Sequence, residues 1–203
     1  MKSIIPNDTV ILIAGVPGIG KTTVSHELLK VYSEIRMIQE TDIIREILQG
    51  YNDFLIEQEK IILKNIYDHK TLLSYEMAKT QCNIMKFSIK NIVARQQRKG
   101  IPTIINGVHL IPEVLYSYLN FKNLMYILLY TESEDILLQH YLDRNDNKHP
   151  DKLSFLFDMN KELYNNTFML LKDAPNVIFI NVSKLSVKNT VSKIKDNIYN
   201  YFK

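Results

Sequence analysis

The chain of 203 residues has one cysteine, Cys82, so it can build neither an internal disulfide nor a cysteine-based metal cluster. Its histidines, at positions 26, 69, 109, 140 and 149, include no His-x-x-x-His pair and no spacing suited to a metal cage. No stretch approaches the roughly 18 to 20 apolar residues that cross a bilayer, so no membrane partner is expected. The opening "MKSIIPNDTVILIAG" has its apolar run broken by Pro6, Asn7 and Asp8 and carries no cleavage site of an export signal, which makes a cytoplasmic location the expectation. The long stretch 51–99 has no repeat, no low-complexity tract and no glycine linker. A single domain, 1–203, is expected from that length. The net charge of +3 favours an acidic ligand only weakly. The one basic cluster, "ARQQRKG" at 94–100, reads as a charged helix end ahead of a nucleic-acid contact.

What the sequence does contain is an alternation of short apolar runs with helical patterns. Thr9–Gly15, Arg36–Asp42, Ile101–Gly107, Asn123–Tyr130 and Asn176–Val182 read as five strands, the first apolar enough to be buried on both faces. Helical periodicity follows in "TTVSHELLKVY", where Val24, Leu28, Leu29 and Tyr32 share a face, and in the stripe Val187, Val191, Ile194, Ile198 and Tyr201. Thr131 and Glu134 have the spacing of a capping box for the helix between. The pattern predicts an α/β fold of three layers, with a five-stranded, mostly parallel sheet between helices. The stretch 51–99 reads as a helical insertion on the side where an acceptor would bind, and 140–152 as a lid.

"GVPGIGKT", Gly15 to Thr22, stands between the first strand and the first helix with the spacing of a phosphate loop. Residues Gly15, Val16, Pro17, Gly18, Ile19, Gly20, Lys21, Thr22 and Thr23 are therefore expected to hold a nucleotide. Backbone N–H groups and the positive end of the helix would meet its phosphates. Lys21 would reach the terminal phosphates, and the Thr22 hydroxyl would lie on a magnesium ion carried with ATP. Magnesium is the only metal the sequence implies.

The next segment separates the classes of nucleotide-binding proteins. In "ETDIIRE", Asp42 stands where the second strand ends, with Arg45 one helical turn on. A carboxylate there can accept the proton of a substrate hydroxyl, and a guanidinium can grip an anionic group on the same substrate. The plainer alternative makes Asp42 a helix cap and Arg45 a partner of Glu46 or Asp42. The third strand ends in Asn106 where phosphate-loop ATPases usually carry Asp, which argues against a motor or hydrolase, and no guanine-reading Asn-Lys-x-Asp element is present. Asn106 suits hydrogen bonding better than metal binding. His109 either meets the acceptor or a phosphate, or is a loop histidine bonded to backbone. Arg144, in "HYLDRNDNKH", either closes over the transferring phosphate or is a helix-end charge. Ser25 and Ser74 have no nucleophile setting, and direct transfer needs none.

Taken together, "GVPGIGKTT", "TDIIREIL", "YDHKTLLSYE" and "INGVHLIPEV" resemble the phosphate-loop kinase superfamily and, within it, the 2-phosphoglycerate kinase group. The resemblance implies ATP-dependent transfer to the free hydroxyl of 2-phosphoglycerate. It assigns Lys21 and Thr22 to nucleotide and magnesium, Asp42 and Arg45 to the acceptor, and Arg144 to the lid. The sequence departs from that group in having Asn106 where Glu is usual, and in lacking arginine between Lys152 and Lys172. A small phosphorylated acceptor is the expected partner. Kinases of nucleosides or polynucleotide ends and a nucleotide-binding regulatory ATPase are the alternatives, and oligomeric state is left open.

Overall fold

The computed structural model describes residues 5–57, 74–142 and 153–203. Five strands form one sheet: β1 (Val10–Ala14), β2 (Met37–Glu40), β3 (Thr103–Gly107), β4 (Leu124–Tyr130) and β5 (Val177–Asn181). Each lies inside the segment the sequence proposes. Their spatial order is β2-β3-β1-β4-β5 and every pairing is parallel. Every residue of β1 and β3 is buried, as a central strand covered on both faces requires. β2, at an edge, is four residues long and half-exposed, which limits the unpaired backbone it offers to other chains.

Helices α1 (Lys21–Val31), α2 (Thr41–Glu57), α3 (Tyr75–Lys99), α4 (Pro112–Leu115), α5 (Glu134–Leu142), α6 (Leu153–Leu171) and α7 (Val187–Phe202) supply the outer layers. α1 packs against α7, while α3, α4 and α6 pack against one another. The buried face of α7 is Thr190, Val191, Ile194 and Ile198; Val187, at its first turn, is exposed. Within the proposed insertion 51–99, residues 51–57 complete α2 and 75–99 form α3, and 58–73 lie outside the described residues. α3 belongs to the core layer: Cys82, Met85, Ile89 and Val93 are buried in the same apolar cluster as the strands. Its start is capped by the Ser74 hydroxyl, which accepts from Met77 N–H at 3.2 Å, and its end by Gly100 in the left-handed conformation.

The expected capping box at Thr131 is displaced by two residues. α5 starts at Glu134, and the side chain that accepts from its first turn is that of Ser133, from Ile136 N–H at 3.4 Å. Thr131 is instead tied to Ser183 at 2.9 Å, while its backbone exchanges hydrogen bonds with the side chain of Asn160. The threonine therefore joins the end of β4 to α6 and the turn after β5.

Strand register sets the functional edge of the sheet. Ala14 is paired with Gly107, and Glu40 with Asn106, so β1, β3 and β2 end side by side. The turn after β1, the start of α2 and the residues after β3 all open at that edge, where ligands of open parallel sheets bind.

Candidate functional site

The loop from Gly15 to Gly20 turns sharply into α1, with Gly18 at φ 84° and Gly20 at φ 99°, a backbone region that residues with a Cβ rarely enter. Gly20 caps α1 without a side chain, and the first turn of the helix carries no acidic residue. Its amide donors thus have no side-chain acceptor of their own, which is the condition for receiving an anion. Lys21 Nζ donates to Val16 O of the loop at 2.9 Å. Beside it, Thr22 Oγ1 donates to Glu40 Oε1 at 3.0 Å.

A cavity of about 120 Å³ opens beside the loop, walled by Lys21, Thr22, Glu40, Asp42, Asn106 and Gly107. Of the residues proposed from separate parts of the sequence, Lys21, Thr22, Asp42 and Asn106 meet here, whereas Arg45 and His109 are not among the cavity's walls. On the other side of Gly18 and Gly20 lies a second cavity, about 360 Å³, whose walls include Thr23, His140, Val182, Leu185 and Val187. Its mixed apolar and hydroxyl lining, continuous with the loop, suits a flat heterocycle attached to phosphates.

Glu40 is the residue sequence reasoning missed. Its signal is the pair of carboxylates two apart in Glu40-Thr41-Asp42, where strand gives way to helix. The Thr22 hydroxyl and the Glu40 carboxylate form a hard-oxygen donor pair suited to magnesium, which keeps most of its water and binds few protein groups. Among the described residues there is no cluster of three histidine, cysteine or acidic side chains for a dedicated metal cage. Asn106, buried, donates its Nδ2 to Ser25 Oγ at 3.1 Å, and Ser25 in turn donates to Lys21 O at 2.8 Å. This chain fixes the amide with its nitrogen toward α1, leaving the carbonyl oxygen as the face turned elsewhere.

Asp42 lies in the first turn of α2, two residues past the end of β2, with its side chain 57% exposed. Arg45 sits one turn on, its Nη1 3.9 Å from Asp42 Oδ1 and its Nη2 donating to Glu46 Oε1 at 2.8 Å. Both partners proposed for the arginine in the plainer reading are therefore present. Its Nε is buried and has no hydrogen-bond acceptor among the described residues, so one donor of the guanidinium is uncommitted.

His109 is completely buried, and its partners are side chains rather than the backbone or an open pocket. Nε2 lies 2.5 Å from Gln81 Oε1 and Nδ1 lies 3.0 Å from Thr41 Oγ1. Burial pushes its pKa down from the usual 6.5 to about 4; the nearby Asp42 opposes the shift and Arg45 and Lys21 add to it. The ring is therefore neutral at pH 7, Nε2–H donating to Gln81 and Nδ1 accepting from the Thr41 hydroxyl. The 3.7 Å approach of Nδ1 to Asp42 Oδ1 is consequently not an ion pair at that pH. Direct contact of His109 with an acceptor, one of its two expected roles, has no exposed surface to act through. Arg144 and positions 143–152 of the proposed lid lie outside the described residues.

No protein-family model matches the sequence, and no curated protein matches it. Solved structures do. A gluconokinase from Sinorhizobium meliloti 1021 superposes with a TM-score of 0.57 at 14% identity, over 97% of this chain and 93% of that one. A shikimate kinase from Acinetobacter baumannii, in complex with shikimate, gives 0.56 at 16% identity over 98% and 95% of the two chains. The thymidylate kinase of Candida albicans gives 0.57 at 14% over 96% and 93%. The chain shares the three-layer α/β fold of these kinases. No described helix is long and apolar enough to cross a membrane.

Proposed function

We propose that the protein is an ATP-dependent kinase that transfers the γ-phosphoryl group to a hydroxyl of a small phosphorylated metabolite. The observation that carries the reading is the shared cavity: Lys21 and Thr22, at the start of α1, line it together with Asp42. A triphosphate on the loop amides would bring its terminal phosphate to that space, with Lys21 leaving the Val16 carbonyl to contact it. Asp42 takes the proton of the acceptor hydroxyl as the new O–P bond forms and the bond to the β-phosphate breaks, ADP leaving with the electron pair. Arg45, one helical turn from Asp42, would hold the anion already on the acceptor by turning its terminal guanidinium nitrogens from Asp42 and Glu46 towards it. Asn106, whose amide is oriented by Ser25, offers a hydrogen-bonding group at the end of β3. Thr22 and Glu40 would hold magnesium, which when bound neutralises charge on the phosphates. The 360 Å³ cavity beyond Gly18 takes the nucleoside.

The acceptor follows from the Asp42–Arg45 pair and the sequence resemblance: a hydroxylated acid already carrying phosphate, with 2-phosphoglycerate the first to test. The deciding experiment follows labelled phosphate from magnesium-ATP into a panel of phosphorylated acids, nucleosides and oligonucleotide ends, using the wild type and Asp42→Asn. Transfer to a phosphorylated acid, reduced roughly 100-fold or more in the variant with ATP binding retained, is the expected result. Equal transfer by the two proteins would remove Asp42 as base, and labelling of oligonucleotide ends alone would replace the small acceptor.

A further inference from the structure

Three consecutive residues at the junction of β2 and α2 are directed to three different partners. Glu40 is held by Thr22 of the phosphate loop at 3.0 Å. Thr41, fully buried, is held by His109 at 3.0 Å. Asp42, between these anchors and Arg45, is the one whose side chain is largely exposed, at the wall of the loop cavity. The direction of the Asp42 carboxylate thus depends on how the backbone of the first helical turn is fixed, and the fixing group nearest to it in sequence is the Thr41 hydroxyl.

The Thr41 contact is crowded as well as hydrogen-bonded. A Cβ built on Gly107 would lie 1.7 Å from Thr41 Oγ1 and 2.6 Å from Thr41 Cβ, so the threonine rests directly on the backbone that ends β3. Beyond His109 stands Gln81, buried on α3, a helix whose later turns are part of the core. With Nε2–H given to Gln81 Oε1, the ring has only its Nδ1 lone pair to offer Thr41, and the Thr41 hydroxyl must donate. The polarity of the chain Thr41→His109→Gln81 is therefore set along its whole length.

We propose that Thr41, His109 and Gln81 are positioning residues, a buried hydrogen-bonded strut from the core helix α3 to the first turn of α2 that aims the Asp42 carboxylate at the transferring phosphate. His109 acts through Thr41 and touches no substrate. This rests on the kinase reading for its catalytic consequence, but the aiming of Asp42 is a property of the unliganded protein and is measurable without an acceptor.

The test uses the full chain with Thr41→Val, which keeps the shape and removes the donor, Thr41→Ser, which keeps the donor, and His109→Asn, whose amide oxygen can still accept from Thr41. Carboxyl-carbon NMR of Asp42 is expected to shift in Thr41→Val and in His109→Asn, which accepts from Thr41 but falls short of Gln81, and to stay near the wild-type position in Thr41→Ser. Given an acceptor, Thr41→Val should lower kcat roughly 10- to 100-fold, the scale set by small misplacements of a catalytic group, with the KM for ATP unchanged. Thr41→Ser should restore most of that loss. In an Asp42→Asn background Thr41→Val should have almost no further effect, because its influence passes through the missing carboxylate. An unmoved Asp42 resonance, or an equal loss of kcat with and without the Asp42 carboxylate, overturns the strut. If no acceptor is ever phosphorylated, the kinase reading fails while the Asp42 resonance still decides the strut.

Discussion

At the residue scale, His109 shows how far a side chain's role depends on what surrounds it. Its ring is buried against Thr41 and Gln81, and the charged groups acting on it are Asp42, Arg45 and Lys21. Because burial holds the folded-state pKa at about 4 against 6.5 for the free side chain, the unfolded chain binds a proton between those values while the folded chain does not. Stability from this residue is present above the unfolded pKa, falls as pH drops from 6.5 towards 4, and levels off below that. Between about pH 7 and pH 5 the loss should be on the order of 2 kcal/mol. Urea denaturation of wild type and His109→Gln at both pH values isolates it, since the other titrating groups contribute to both proteins. The wild type should lose more stability than the variant; parallel losses would mean that the imidazole is not held neutral by the fold.

At the element scale, the narrowest fit is between the end of β3 and the start of α2. Replacing Gly107 by Ala places a methyl inside the space of Thr41, and neither side can move freely, because one is central strand backbone and the other is a buried helix start. Overpacking of this kind costs about 1 to 3 kcal/mol. A lower urea midpoint with an unchanged slope is the expected observation, and wild-type stability would show that α2 can lift off the strand at little cost. This contact also marks where legibility in the sequence ends. The five strands are readable because runs such as Val10–Ala14 are apolar on both faces, and the glycine-rich turn from β1 into α1 because its spacing is local. The order β2-β3-β1-β4-β5 was not, since it depends on pairings between strands distant in the chain. Asp42 and Arg45 could be proposed as a pair from one helical turn. Glu40 is marked in the sequence only by its spacing from Asp42, because its role comes from Thr22, eighteen positions away, and His109 is not oriented without Gln81 on α3. Thr131 differs for the same reason: its hydroxyl is shared between Ser183 and the backbone of Ser133, one residue short of α5.

At the scale of the whole molecule, the two cavities share the loop residues Gly18 and Gly20, and the helix that follows the loop, α1, is tied to β2 through Thr22 and Glu40. A ligand filling both would tie together the edge strand β2, the central strand β1 and the packed pair α1–α7, so its binding should appear as global stabilisation. At a hundredfold excess over its dissociation constant, a ligand adds about 2.7 kcal/mol to the folded state, which for a chain of this size raises Tm by roughly 5 to 10 °C. Magnesium-ATP should produce such a shift in the wild type, and Lys21→Met should remove most of it. Glu40→Gln separates the parts of the site: with the amide in place of the carboxylate, ATP in EDTA should still stabilise the protein, while the increment added by magnesium should disappear. Differential scanning fluorimetry with and without magnesium measures both quantities. A magnesium increment that survives in Glu40→Gln would detach β2 from the metal and leave Thr22 as its protein ligand, whereas an unshifted wild-type Tm at saturating nucleotide would remove the loop from phosphate binding altogether.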